Sequence, residues 1–198
     1  MMGKAKRIIF FFIDMLVMAG LVLLDRFTKE LAVEHLKDRP PYKLIPDVFE
    51  FRYLENRGAA FGMLQDRREF FIAVGAIFLL VILYFLIRLP ATKKYHVLRF
   101  CLVTIGAGAI GNLYDRIMLG YVIDFLYFIY IDFPIFNVAD IYVTVSAAML
   151  VILFLFIYKD EDLDMKKANK VKVHSSMVVP SGKDKKKNST DDRGLDDI

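Results

Sequence analysis

Nine polar side chains in this 198-residue chain could do chemistry together: Asp25, Lys29, Asn56, Asn112, Asp115, Arg116, Asp124, Asn137 and Asp140. They come from four sequence-distant segments, most of them at or near the ends of apolar runs. Singly, each has a bland explanation. An Asp near a helix start, which suits Asp140, is a cap or dipole partner, and an adjacent pair such as Asp115-Arg116 closes a helix end. As a group they carry more weight, because ionisable groups near hydrocarbon are costly and are functional candidates by default. Two carboxylates sharing an apolar, partly dry site cannot both ionise easily, so one keeps a proton while the other is charged. The charged member can take a proton from a water attacking an amide carbonyl, while the protonated member supports the developing oxyanion. Such a pair cleaves a peptide bond with no metal and no cofactor.

Other chemistries find little material. The serines are Ser146, inside an apolar run, and Ser175, Ser176, Ser181 and Ser189 near the C-terminus, so no serine nucleophile stands among the carboxylates. Cys101, the single cysteine, can form no intramolecular disulfide and reads as a small buried residue. His35, His96 and His174 show no H-E-x-x-H spacing, which leaves a zinc hydrolase unsupported. The net charge of +4 is spread over several loops without a basic, aromatic-interleaved stripe, so no nucleic-acid surface is expected.

The elements that must position these residues are membrane spans. A hydrophobic content of 57% is too high for an ordinary soluble domain. Four runs approach the roughly 20 apolar residues that a spanning helix needs: Ile8 to Leu24, Phe70 to Leu89, Phe100 to Tyr114 and Ile141 to Tyr158. Lys4, Lys6 and Arg7, then Arg88, Lys93, Lys94 and Arg99, then Lys159, Lys166 and Lys167 flank these runs, which places both termini in the cytoplasm. The first run lacks a small-residue cleavage site and reads as an uncleaved anchor. The outer loops are then Asp25 to Glu69 and about Asp115 to Asp140, and they hold the polar set.

Within the first loop, Phe49, Phe51 and Tyr53 alternate with Glu50, Arg52 and Leu54, the period of a strand, and Asn56-Arg57-Gly58 supplies a turn. The segment GYVIDFLYFIYIDFPIFN is dense in Tyr and Phe and suits the headgroup boundary. The expected fold is therefore a mainly α membrane protein: four transmembrane helices, a small extracytoplasmic β element and an aromatic-rich interfacial segment. Residues 1–158 form the membrane domain. Residues 159–198 carry ten basic and nine acidic side chains with almost no aromatics, and are expected to be a disordered cytoplasmic tail.

The residues alone leave Asp115 and Asp124 equal as partners for Asp140. The motifs Asp25-Arg-Phe-Thr-Lys29, Asn56-Arg-Gly-Ala-Ala-Phe61, Gly108-Ala-Ile-Gly-Asn112-Leu-Tyr-Asp115-Arg116, Val122-Ile-Asp124-Phe125 and Phe136-Asn137-Val-Ala-Asp140 resemble, in that order, lipoprotein signal peptidase (signal peptidase II) over about residues 8 to 158. The resemblance implies an aspartic endopeptidase of the bacterial inner membrane that removes signal peptides from prolipoproteins, cutting before a diacylglyceryl-modified cysteine. It implies Asp124 and Asp140 as the catalytic dyad, and Asp25, Lys29, Asn56, Asn112, Asp115, Arg116 and Asn137 as residues that orient the dyad or hold substrate. The partners so implied are diacylglyceryl-prolipoproteins and membrane lipids, with the enzyme acting as a monomer. Arg26 and Ala107 depart from the family pattern, where Gln and Gly are common, and neither touches the dyad.

Two rival classes compete with this reading. A small proton or ion transporter would use Asp14, eleven positions before Asp25 and so roughly 16 Å deeper, as part of a relay. Against it, one buried acid is no pathway, and the internal duplication of many transporters is not seen. A non-catalytic scaffold docking through the β element would leave the convergent carboxylates unexplained.

Overall fold

A computed structural model describes residues 2–58, 67–90 and 92–158. Seven main elements follow in order: α1 (Met2–Leu36), β1 (Tyr42–Ile45), β2 (Phe49–Asn56), α2 (Arg68–Arg88), α3 (His96–Met118), β3 (Val122–Phe128) and α4 (Val138–Phe156). All four helices are long and apolar enough to cross a membrane. The protein is a multi-pass membrane protein, and its lipid-facing surface is aliphatic and aromatic, with Leu16 75% and Phe156 80% exposed. The expected charged tail, 159–198, and the Ala59-Ala60-Phe61 part of one motif lie outside the described residues.

At the centre stands α3, packed on the other three helices. Its Gly and Ala residues make this possible. A side chain at Gly108 would bring its Cβ within 2.5 Å of the Ala139 carbonyl oxygen of α4, and one at Gly111 would run into the Asp25 carboxylate of α1. Small residues at these positions let backbones approach closely where lipid supplies no hydrophobic drive for helix association. The core of the bundle, Met18, Ile82, Leu86, Val103, Ile105 and Ala107, is built around the same helix.

One expectation is corrected and a second is extended. The first span does not end at Leu24; α1 continues as one helix to Leu36, about 52 Å in all at 1.5 Å per residue. It therefore outruns a hydrocarbon core of about 30 Å, and Asp25 and Lys29 are helical residues rather than the start of an outer loop. The helix persists because its charges pair internally: Lys29 lies 2.9 Å from Asp25 and Arg26 lies 3.5 Å from Glu30, both at the i,i+4 spacing. The aromatic segment, secondly, is not merely interfacial. Val122–Phe128 is strand β3, which adds to the β1–β2 hairpin to give an antiparallel sheet in the order β1-β2-β3. The strand from Phe49 forms as expected and pairs Asn56 with Val122 and Leu54 with Asp124.

Asp14, a loose end in the sequence, has a partner. Its carboxylate pairs with the Arg99 guanidinium, whose Nη1 also donates to the Leu86 and Leu89 carbonyls at 3.1 and 3.2 Å. One buried cation thus ties α1, the C-terminus of α2 and the first turn of α3, at the membrane end opposite Asp25. Asp14 is committed to a structural pair there, which removes the transporter's motive.

Candidate active site

Five pieces of the fold carry the nine residues to one place. α1 supplies Asp25 and Lys29, the end of β2 supplies Asn56, and α3 supplies Asn112, Asp115 and Arg116. β3 carries Asp124, and the start of α4 carries Asn137 and Asp140.

The deepest layer is a charge cluster. Lys29 is wholly buried and lies 2.9 Å from Asp25 and 2.8 Å from Asp115, while Arg26 approaches the other Asp115 oxygen at 2.5 Å. Two cations meet two carboxylates, so the cost of burying four charges, several kcal/mol each, is offset within the group. Asp25 also accepts the Ala139 amide at 3.0 Å and Asp115 the Ile123 amide at 3.3 Å, which fixes α4 and β3 onto α1 and α3. Lys29 fills the space between two carboxylates where a metal would otherwise be sought. Among the described residues, no group of three or more His, Cys, Asp or Glu could hold a metal ion.

Above this layer the amides impose directions. Lys29 can only donate, so Oδ1 of Asn112, 2.9 Å away, must accept; Nδ2 of Asn112 therefore faces outward and donates to Asp140 Oδ1 at 2.8 Å. Asn137 is the N-cap of α4 in a reciprocal capping box: the Asp140 amide donates to its side chain at 3.1 Å, and its own amide donates to Asp140 Oδ2 at 3.0 Å. With its oxygen so used, Asn137 Nδ2 donates to Asp124 Oδ1 at 2.7 Å. Asn56, whose oxygen accepts the Gly58 amide at 3.0 Å, donates Nδ2 to Asp124 Oδ2 at 2.8 Å. Asp124 and Asp140 are thus bridged by one asparagine and held by neutral N–H donors; among the described residues neither has a salt-bridge partner within 4.0 Å. Burial, and then the neighbouring Asp140 charge, push the Asp124 carboxyl up to about 7.

Both carboxylates line a cavity of about 510 Å³. Asn56, Asn112 and Arg116 share its polar end, and Phe133, Phe136, Ile141 and Val145 form an apolar wall that runs onto the outer turns of α4. Arg116 reaches it by donating to the Gly58 and Asn112 carbonyls at 3.2 and 3.3 Å, with its guanidinium 4.8 Å from the centre of the Phe71 ring. A smaller cavity of about 280 Å³, between Val74, Gly75, Gly108 and Val143, meets Asp140 from the α2 side. A polar floor of two neighbouring carboxylates beneath an apolar wall suits a greasy peptide.

The sequence profile of the family described as Signal peptidase (SPase) II matches residues 17–156, which hold all nine positions. The chain belongs to the signal peptidase II family. Relatives include the lipoprotein signal peptidase of Caldanaerobacter subterraneus subsp. tengcongensis, 45% identical over 141 residues that cover 71% of this chain and 94% of the relative. That of Brevibacillus brevis is 44% identical over 137 residues, covering 69% and 91%. A bacterial membrane enzyme of known structure superposes with a TM-score of 0.64 at 30% identity, over 72% of this chain and 87% of its own. The enzyme is accordingly a peptidase, in a fold that these membrane enzymes share.

Two supporting residues of this family member escaped the sequence reading. Arg26, noted only as a departure, is the second cation of the buried cluster, and its guanidinium lies 4.7 Å from the centre of the Tyr114 ring. Arg68 donates to the Arg116 and Ile117 carbonyls at 2.7 Å each and so closes the C-terminus of α3, the helix that carries three site residues. The i,i+4 spacing of Arg26 to Glu30 was a visible sign of helix, whereas the contact to Asp115 spans 89 positions and leaves no local sign.

Proposed function

We propose that this peptidase removes signal peptides from prolipoproteins, cleaving before a diacylglyceryl-modified cysteine, and that Asp124 and Asp140 activate the water. The observation that carries the reading is the unneutralised carboxylate pair, bridged by Asn137, at the floor of a cavity with an apolar wall. Asp140 lies in the first turn of α4, where the helix N-terminus favours negative charge, and acts as the base that takes the water's proton. Asp124 holds the second proton, donates a hydrogen bond to the carbonyl oxygen as it gains charge, and passes a proton on toward the leaving amine. The apolar wall receives the lipid-bearing peptide and keeps bulk water out.

The site faces the outside of the bacterial cytoplasmic membrane, with both termini in the cytoplasm, in keeping with the Lys and Arg residues between α2 and α3. Residues 1–158 are the working unit, and the enzyme acts as a monomer.

Cleavage of a preprolipoprotein by the enzyme in liposomes tests this. The diacylglyceryl-modified precursor should be cut before its cysteine, the unmodified one should not, and EDTA should leave the rate unchanged. Equal cleavage of both precursors would remove the proposed specificity. Orientation is tested separately, in a Cys101→Ala background. Arg57→Cys should react with a membrane-impermeant thiol reagent in intact spheroplasts and Lys94→Cys should not; the reverse pattern would invert the topology.

A further inference from the structure

Far from the carboxylates, a second cavity of about 450 Å³ opens between α2, α3 and α4. Along α2 it runs from Phe78 to Leu89, eleven residues and so about 16 Å. Its walls are apolar throughout, with Val81, Phe85, Leu102 and Phe154 among them, and it plays no part in the peptidase site. Several wall residues are partly open to the lipid side, Val81 at 45% exposure.

One end of the groove is chemically distinct. It finishes at Leu89, Pro90 and Tyr95, in the connection between α2 and α3, and this connection is flanked by the exposed cations Arg88 and Lys93, with Lys94 beside them. No acidic residue occurs anywhere between Glu69 and Asp115. The nearest acid from α1, Asp14, is already engaged by Arg99. The start of α3 adds the positive end of a helix dipole at the same level. Tyr158 stacks on Tyr95 with ring centres 5.8 Å apart and donates to the Lys94 carbonyl at 2.6 Å, so the mouth is held in shape.

A narrow apolar slot in the membrane, ending at headgroup level beside the exposed cations Arg88 and Lys93, has the complementarity of a phospholipid with an anionic headgroup. We propose that the groove holds one acyl chain of such a lipid, with its phosphate at Arg88 and Lys93, in the leaflet opposite the carboxylate site. The site is independent of the peptide-cleaving reaction. It steadies the α2–α3 connection where Arg99 gathers three helices.

The full-length enzyme in nanodiscs of equal phosphatidylglycerol and phosphatidylcholine, released and weighed with its retained lipids by native mass spectrometry, tests this. Wild type should retain phosphatidylglycerol in preference, by about fivefold for each cation engaged. Arg88→Gln with Lys93→Gln should bring the ratio to parity, and Val81→Trp, which fills the groove from its lipid side, should lose the retained phosphatidylglycerol. Peptide cleavage by these variants should stay at the wild-type rate and so reports that they are folded. Equal retention of both lipids by wild type, or a preference that survives either change in an active enzyme, overturns the proposal.

Discussion

Two buried acidic sites at opposite ends of the same bundle show how differently a membrane protein can spend a carboxylate. Asp14 meets a cation, Arg99, whose Nη1 also donates to the Leu86 and Leu89 carbonyls at the end of α2. Charge meets charge there, and the pair holds three helices together. Asp124 and Asp140 are given amide donors only, and they share a cavity of about 510 Å³. The buried cations below, Lys29 and Arg26, are held by Asp25 and Asp115, and Arg116, which shares the cavity, donates to the Gly58 and Asn112 carbonyls. The contrast teaches that a buried acid at hydrocarbon depth marks chemistry when its neutralising partner is withheld, and marks architecture when it is supplied.

The largest effect separates the two sites. Asp124→Asn and Asp140→Asn should each lower single-turnover cleavage of a lipidated precursor by at least about 10³-fold, on the scale of losing one member of a group that acts as a unit. The melting temperature in detergent should not fall. Asp14→Asn should do the reverse, costing about 3–5 kcal/mol of stability because Arg99 is left buried without its counter-charge, while the folded fraction cleaves at close to the wild-type rate. If Asp14→Asn instead removed cleavage from stably folded protein, the architectural reading of that pair would fail.

The next effect sharpens what amide-only coordination does. Asn56 donates to Asp124 and so favours its ionised form. Asn56→Ala should raise the Asp124 pKa, moving the alkaline limb of kcat/KM, expected near pH 7, upward, with about a tenfold loss of rate at its optimum. A limb that stays in place would detach it from Asp124.

Stability should follow the same proton. Because the Asp124 pKa is raised from 3.8 in the folded protein, its contribution is fully present below pH 4 and is lost as pH rises through about 7. Asp124→Asn should therefore gain in melting temperature on wild type between pH 5 and pH 8, with the gap closing in acid; a gap independent of pH would contradict the assignment. The smallest effect is that of the C-terminus, where truncation after Lys159 should change cleavage by less than about twofold. A large loss would show that the working unit extends past residue 158.

Much of this contrast could be read before any coordinates, and the parts that could not have physical reasons. Phe49 to Asn56 announces itself because Phe49, Phe51 and Tyr53 share one half-buried face while Arg52 and Leu54 on the other are exposed, which writes an alternation into the sequence, although Glu50 on that second face is buried. β3 has no such alternation: Val122 to Leu126 are all buried, Asp124 included, so the strand reads as a continuous apolar run. The end of the first span was misplaced because Asp25, Arg26, Lys29 and Glu30 look like an exit from the membrane. They are instead a buried cluster and its i,i+4 supports. The pairing of Asp14 with Arg99 joins residues 85 positions apart, a distance over which one sequence carries no signal. Asn137 and Asp140 were legible for the opposite reason, since a capping box is local chemistry at a three-residue spacing.

The central claim is that two carboxylates with amide partners alone share a proton at working pH. A ¹³C-detected titration of the aspartate carboxyl groups in the detergent-solubilised enzyme measures it most directly. One carboxyl should titrate near pH 7, vanish in Asp124→Asn, and move to lower pH in Asp140→Asn as the neighbouring negative charge is removed. If no aspartate signal affected by Asp124→Asn titrates above about pH 5, the pair holds no shared proton and the mechanism is wrong.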